Sequence, residues 1–310
     1  MQQVKIISVN ISTEKGTIKK PAEQIELSHL GVNCDAHSGN WNRQISLLGT
    51  ESTGKFEAEA NRKVMPGEFA ENITTSGMNL WTAHPLDRFT SGEIELEVTQ
   101  IGKECHGNSC AIFKEVGNCV MPKEGIFCRV LSPGILKAGM ELEFHPKMYR
   151  ILVITLSDRA SAGEYEDRSG ARIQELLSDF FVSQHINYFI HYSLIPDDQY
   201  KLEELLIKAK EELVDLIITT GGTGIGPRDF TPDVVIPMLD KEIPGIMESI
   251  RMKYGAEKPA ALLSRSVAGV MGKSLIFTLP GSVRAVNEYM AEIIKSLMHM
   301  IFMLHGLDSH

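Results

Sequence analysis

Residues 219–233 read Thr-Thr-Gly-Gly-Thr-Gly-Ile-Gly-Pro-Arg-Asp-Phe-Thr-Pro-Asp, with four glycines inside six positions. Gly221, Gly222, Gly224 and Gly226 let the backbone turn sharply and approach a ligand without a Cβ in the way. The apolar run Leu216-Ile217-Ile218 before them reads as a buried strand, and Thr231-Pro232 after them as a helix start, with Thr as N-cap and Pro at the first helical position. Strand, glycine loop and helix N-terminus together bind phosphate through backbone N–H groups. Asp229 and Asp233 are more than a phosphate cradle needs. Carboxylates beside phosphate suggest Mg²⁺ and phosphoryl or nucleotidyl transfer. The plain alternative is a sharp strand-to-helix turn with incidental acids, because glycine loops alone are weak signals.

The elements that must position this loop alternate from Tyr149 onward. Ile151–Ile154 is a continuous apolar run, as in a parallel strand covered on both faces. Ile173, Leu176, Leu177 and Phe180 have helical spacing, and further strands are expected at 188–195, 216–220 and 274–279. Helices are expected at 202–213, around 234–239 and 245–254, and as one long C-terminal helix over 285–304. This pattern specifies a doubly wound α/β domain, whose ligands bind outside the carboxyl ends of its strands. Those ends supply Ser157, Asp158 and Arg159; Pro196, Asp197 and Asp198; the glycine loop with Asp229; and Pro280, Gly281 and Ser282. Arg159 and Arg228 are at hand for phosphate charge, although Asp and Ser at strand ends also serve as helix caps.

The first half reads as mainly β. Ile94-Glu95-Leu96-Glu97-Val98 alternates strictly, as do Leu142 and Phe144, and glycines punctuate short elements as in a barrel. Pro146 cannot continue a strand ladder, so the boundary falls there, dividing the chain into 1–146 and 147–310. All five cysteines (Cys34, Cys105, Cys110, Cys119 and Cys128) lie in this half, a sign of two units with different chemistry. Cys105 sits between Lys103 and His106, which favour a thiolate able to act as nucleophile or soft-metal ligand. A zinc site and inert packed thiols are the alternatives, and only Cys105 and Cys110 approach zinc spacing. Trp41 and Trp81 are candidates to line a ligand site, although tryptophan is more often core.

Apolar content of 43% and charged content of 23% in 310 residues fit a soluble globular protein of two domains. The net charge is -9 and the basic residues are scattered, which argues against nucleic acid or lipid and for a small substrate. Neither a signal peptide nor a membrane-spanning run is readable, so a cytoplasmic location is expected.

The motifs Leu156-Ser157-Asp158-Arg159-Ala160-Ser161-Ala162-Gly163, Ile195-Pro196-Asp197, Thr219–Gly224, Arg228–Asp233, Leu263-Ser264-Arg265 and Leu279-Pro280-Gly281-Ser282 resemble, in order, those of the molybdopterin adenylyltransferase (MogA/MoaB-like) family. The resemblance implies transfer of AMP from ATP to the terminal phosphate of molybdopterin, with release of pyrophosphate, usually by a homotrimer. It implies catalytic roles for Asp197 and Asp229, which as a pair could hold Mg²⁺. It places Ser157, Asp158, Gly221, Gly222, Thr223, Gly224, Thr231, Asp233, Ser264, Arg265, Pro280, Gly281 and Ser282 around the substrates. A downstream molybdenum insertase is a possible partner.

The first half is similar to a MOSC domain on Ile7-Ser8-Val9-Asn10, the 62–73 stretch, Gly102–Cys110 and Gly134 to Gly139-Met140. That resemblance implies a β-rich module that binds molybdenum cofactor or carries sulfur, with Cys105 as the functional thiol. The rival readings are a non-catalytic molybdopterin-binding or carrier protein, which would be free to lose Asp197 and Asp229, and a nucleotide-dependent oxidoreductase. The second is disfavoured because no G-x-G-x-x-G opens a first strand–helix unit.

Overall fold

A computed structural model describes residues 2–103 and 119–307. Contacts divide the chain into two compact units, Met1–Lys147 and Met148–His310.

Among the described residues the first unit contains eleven strands: β1 (Gln2–Ile11), β2 (Lys20–Ala22), β3 (Gln24–Ser28), β4 (Gly31–Val32), β5 (Ile45–Gly49), β6 (Ile73–Ser76), β7 (Arg88–Ser91), β8 (Ile94–Ile101), β9 (Ile126–Ser132), β10 (Gly134–Lys137) and β11 (Glu141–His145). Seven of them close a β-barrel in the order β11-β7-β8-β9-β5-β6-β1, sealed where β1 pairs antiparallel with β11. Closure leaves no free edge in the ring. One apolar cluster, including Val4, Ile6, Leu47, Ile73, Phe89, Leu96, Val98 and Leu142, forms the core. The alternation read over Ile94–Val98 breaks at Glu97, which is buried because Arg129 Nε donates to it at 2.8 Å and Arg88 Nη2 at 3.4 Å. The β pattern is interrupted by α1 (Thr50–Ala60) and by the single turn α2 (Met121–Glu124). Phe56 of α1 packs edge-on against Phe69, in a satellite core with Leu48, Met121 and Phe127.

The second unit holds β12 (Met148–Leu156), α3 (Asp158–Ser161), α4 (Arg168–Ser183), β13 (Asn187–Ile195), α5 (Gln199–Glu211), β14 (Leu216–Thr220), α6 (Thr231–Val235), β15 (Lys241–Glu242), α7 (Pro244–Gly255), β16 (Ala268–Met271), β17 (Ser274–Leu279), α8 (Val283–Ile293) and α9 (Leu297–Leu304). Its six-stranded sheet runs β13-β12-β14-β17-β16-β15. The first four strands are parallel, whereas β16 pairs antiparallel with both β17 and β15, so that β16 and β17 form a hairpin absent from the sequence reading. The four parallel strands therefore end together at Leu156, Ile195, Thr220 and Leu279. Leu202, Leu206 and Ala209 of α5 and Val235 of α6 share a core with Leu152, Ile154 and Leu156 of β12, whereas α4 packs on α8 and α8 on α7. The C-terminal helix is two helices, parted by a 3₁₀ turn at Ile294–Ser296. Among the described residues no helix is long and apolar enough to cross a membrane.

Candidate active site

The glycine loop leaves β14 in a conformation that only glycine adopts readily. Gly221 has φ +106° and Gly222 +62°, and a Cβ at 221 would lie 2.3 Å from the Leu156 carbonyl oxygen. The Gly221 N–H donates to Leu279 O at 3.0 Å, so the turn is tied to the end of β17 as well as pressed against β12. Thr231 is not the N-cap expected from Thr-Pro. The cap position is Phe230, with no side-chain hydrogen bond, and the buried Thr231 hydroxyl donates instead to Gly221 O at 2.9 Å. Thr231 N–H donates to Gly222 O at 3.0 Å, which folds the loop back on its helix.

Arg265 closes the loop from the far side. Its Nε donates to Gly224 O at 2.8 Å, its backbone N–H to Thr223 O at 2.8 Å, and its Nη2 also reaches Asp229 O. The guanidinium grips Asp233 bidentately at 2.8 and 2.7 Å, and this hydrogen bonding holds the Asp233 carboxyl below its ordinary range. Arg265 and Asp233 thus meet each other and the loop. Ser264 Oγ donates to Ser266 Oγ at 2.9 Å and accepts from Tyr289 OH at 3.0 Å. Pro280 O accepts from Thr220 Oγ1 at 3.0 Å, Gly281 lies against Gly221, and Ser282 caps α8 by accepting from Ala285 N–H at 3.2 Å.

Three acids gather at the same edge. Asp158 Oδ1 accepts from the Asp197 N–H at 2.9 Å, Asp197 Oδ2 accepts from the Asp158 N–H at 3.3 Å, and Arg228 Nη1 donates to Asp158 Oδ2. Asp229 Oδ2 accepts from the Gly226 N–H at 2.8 Å. Burial first, then the neighbouring charges of Asp158 and Asp229, pushes the Asp197 carboxyl above its usual range. Asp198 beside it is a cap, accepting from Tyr200 N–H and Lys201 N–H at the start of α5. Asp197 and Asp229 each keep one carboxylate oxygen without a hydrogen bond among the described residues. No group of three or more His, Cys, Asp or Glu is set to hold a metal among those residues. A cation here would have two carboxylates and take its other oxygens from phosphates, which suits Mg²⁺.

Ser157, which caps α3, borders a cavity of about 370 Å³ that sequence reasoning missed. Thr155, Tyr165, Glu166, Asp167, Arg168, Ser169 and Gly281 help to line it. Asp167 is saturated. Ser169 N–H, Ser169 Oγ and Gly170 N–H bond to its carboxylate, as do Thr155 Oγ1 and Tyr192 OH, each at 2.6 Å. Burial alone would raise its pKa, but these hydrogen bonds outweigh burial and hold it low; Tyr192 is pushed up to about 12 by burial and the same bond. The only signal in the sequence was an Asp at the start of a helix, which reads as a cap. A larger groove of about 600 Å³ along α5 is lined by none of Asp158, Asp197, Asp229 or the glycine-loop residues.

In the first unit, Cys105 and Cys110 lie outside the described residues. Cys34 is exposed, Cys119 half-buried, and Cys128 buried, where desolvation drives its thiol far above the usual range. A buried ion pair that the sequence did not announce joins Lys19 to Asp35, whose carboxylate also accepts from Asn72 Nδ2 at 3.1 Å and His37 N–H at 2.9 Å. Trp41 donates to His37 O, and Trp81 lies under Lys55.

Comparison with known proteins follows the division into units. A model of the probable molybdopterin binding domain matches residues 152–299, and a model of the MOSC domain matches residues 35–143. The chain is 38% identical over 155 residues to a molybdopterin adenylyltransferase of Helicobacter pylori, covering 50% of this chain and 86% of that protein. It is 43% identical over 152 residues to molybdenum cofactor biosynthesis protein B of Staphylococcus carnosus, with 48% and 86% covered. It is also 40% identical over 156 residues to a molybdopterin adenylyltransferase of Pyrococcus furiosus, with 49% and 88% covered.

Proposed function

The chain belongs to the molybdopterin adenylyltransferase family through its second unit and carries a MOSC domain in its first, and from this we propose that it makes adenylylated molybdopterin from molybdopterin and ATP. A terminal phosphate oxygen of molybdopterin attacks the α-phosphorus of ATP, the bond to pyrophosphate breaks, and pyrophosphate leaves. The nucleophile is already an anion, so no strong base is required. The barrier lies in bringing two polyanions together and stabilising the leaving group's charge.

The observation that carries this reading is the meeting of Asp158, Asp197 and Asp229 beside a glycine loop where four parallel strands end. In it, Asp197 and Asp229 are the residues that would hold Mg²⁺, which would supply positive charge to neutralise the nucleotide phosphates and the leaving group. Ser157, Asp158, the amides of Gly221–Gly224, Ser264 and the Pro280-Gly281-Ser282 turn surround the substrates. Thr231, Arg265 and Asp233 serve the same site by holding the loop in shape. Helices lie on both faces of the sheet in this reading, which makes the second unit doubly wound. It spans 147–310, assembles as a homotrimer and acts in the cytoplasm ahead of a molybdenum insertase. The first unit, 1–146, binds molybdenum cofactor or carries sulfur through Cys105.

Incubating the full chain with molybdopterin, ATP and Mg²⁺ tests the activity. Pyrophosphate and an adenylylated pterin should form together, and both should vanish when the cation is chelated. Tight molybdopterin binding without turnover would make the protein a carrier.

A further inference from the structure

Tyr165 is a large aromatic side chain left 47% exposed on a polar segment, outside the buried core, yet it is fixed in place. Its hydroxyl shares a 2.9 Å hydrogen bond with Ser157 Oγ. The Arg159 guanidinium lies 5.2 Å from its ring centroid, within cation–π range, and Arg159 is itself tethered to Glu164 Oε2 at 2.9 Å. The intervening chain turns tightly through Gly163, at φ +78°, with backbone bonds from Gly163 N–H to Ala160 O and from Glu164 N–H to Arg159 O. Two contacts, neither of them core packing, therefore hold the ring as part of the wall of the 370 Å³ cavity. Asp167, saturated by Thr155, Tyr192, Ser169 and Gly170, fixes another part of that wall. Ser157 belongs to this cavity, while the next residue, Asp158, belongs to the acidic set with Asp197 and Arg228.

We propose that Tyr165 is a substrate-positioning residue on which the planar nitrogen heterocycle of one substrate stacks, directly beside the acidic phosphate site. This rests on the adenylyl-transfer reading, in which both substrates carry such a ring, adenine on one and pterin on the other. A preordered aromatic face favours a flat heterocycle whatever its hydrogen-bond pattern, and the Ser157 bond sets the face's orientation.

Equilibrium binding of ATP and of molybdopterin is measured separately on the full chain, as wild type, Tyr165→Ala and Tyr165→Phe, alongside initial rates of pyrophosphate release. Tyr165→Ala should weaken one substrate about tenfold, the order of one aromatic stack, in both Kd and KM, with kcat within about twofold. Tyr165→Phe keeps the ring and loses only the Ser157 bond, so it should weaken the same substrate by less than Tyr165→Ala does. A loss confined to ATP assigns the ring to adenine, and one confined to molybdopterin assigns it to the pterin. Unchanged affinity for both in Tyr165→Ala overturns the inference. So does equal damage from Tyr165→Phe, because the hydroxyl rather than the ring would then carry the effect. Binding that responds to Tyr165 in a protein that releases no pyrophosphate would refute the transferase reading and leave the stacking role standing.

Discussion

Gly224→Ala tests the position of the Asp229 carboxylate without touching its charge. Neither Gly224 nor Gly226 has a positive φ, so alanine is compatible with the backbone at both. A Cβ at 224 would lie 2.6 Å from Asp229 Oδ2, and one at 226 would lie 2.9 Å from the same atom. Real Cβ contacts stay beyond 3.0 Å, so the carboxylate must give at least 0.4 Å (3.0 − 2.6) in the first case and 0.1 Å (3.0 − 2.9) in the second. A displacement of about 1 Å at a reacting group can cost roughly 10²-fold. Taken as log-linear, kcat/KM should fall about five- to tenfold in Gly224→Ala and less than about twofold in Gly226→Ala. Stability should barely move. The clash is with the far end of a side chain held by the Gly226 N–H, a bond worth about 1 kcal/mol, and Gly→Ala recovers about 0.4–1 kcal/mol of chain entropy. Pyrophosphate release and thermal unfolding of the two variants form the assay. If Gly226→Ala loses as much activity as Gly224→Ala, or if activity loss tracks a fall in Tm, carboxylate placement is not what the loop protects.

Asp229→Asn can still accept from the Gly226 N–H, so it and Asp197→Asn should fold normally while kcat drops about 10²–10³-fold, as for loss of a transition-state charge contact; weaker pterin binding with unchanged kcat at saturation would contradict the assignment. The acid limb of kcat/KM should lie above the ordinary aspartate range, because Asp197 must be ionised and its burial and acidic neighbours raise its pKa. Asp158→Asn removes one of those charges and releases Arg228, so the limb should move to lower pH, and an upward or absent shift would refute the coupling. Lys19→Met leaves Asp35 buried without its cation and should cost the first unit about 3–5 kcal/mol, with much of it recovered in Lys19→Met/Asp35→Asn. Trp41 and Trp81 are the chain's two tryptophans and both lie in that unit, so denaturant unfolding followed by tryptophan fluorescence isolates the effect.

The parallel strands were legible because strands buried on both faces leave unbroken apolar runs, as at Ile151–Ile154, and the glycine loop because Gly221 and Gly222 need conformations other residues avoid. Pairings across long separations left no local trace. Arg265 grips Asp233 from 32 residues away, and Glu97 is buried inside an apparently amphipathic strand because Arg129 reaches it from an equal distance. Thr231 misled through a locally sound rule. A Thr before Pro does favour an N-cap, but the returning loop offered the Gly221 carbonyl, and the hydroxyl took it. The break at Ile294–Ser296 contains neither Gly nor Pro, so no helix-stopping residue marked it.

What the sequence could least supply was a division of labour among similar residues. Asp158, Asp167, Asp197 and Asp229 follow a strand or precede a helix, Asp233 lies in the first turn of α6, and each alone reads equally well as ligand or as helix-terminus acid. Hydrogen-bond saturation separates them. Asp167 has both oxygens filled by five donor groups, Asp233 is gripped at both oxygens by Arg265, and Asp158 serves Asp197 and Arg228. A carboxylate so occupied must break existing bonds to meet a cation or phosphate, which favours scaffolding. Asp197 and Asp229 each retain an oxygen without a hydrogen bond among the described residues, and Asp197 is the one whose surroundings disfavour its charge. A partly buried carboxylate pressed by like charges gains most when a cation arrives. Asp233 holds the loop still through Arg265, Asp167 ties β12 to α4 and β13, and the two that remain open are those a cation would meet in the proposed reaction.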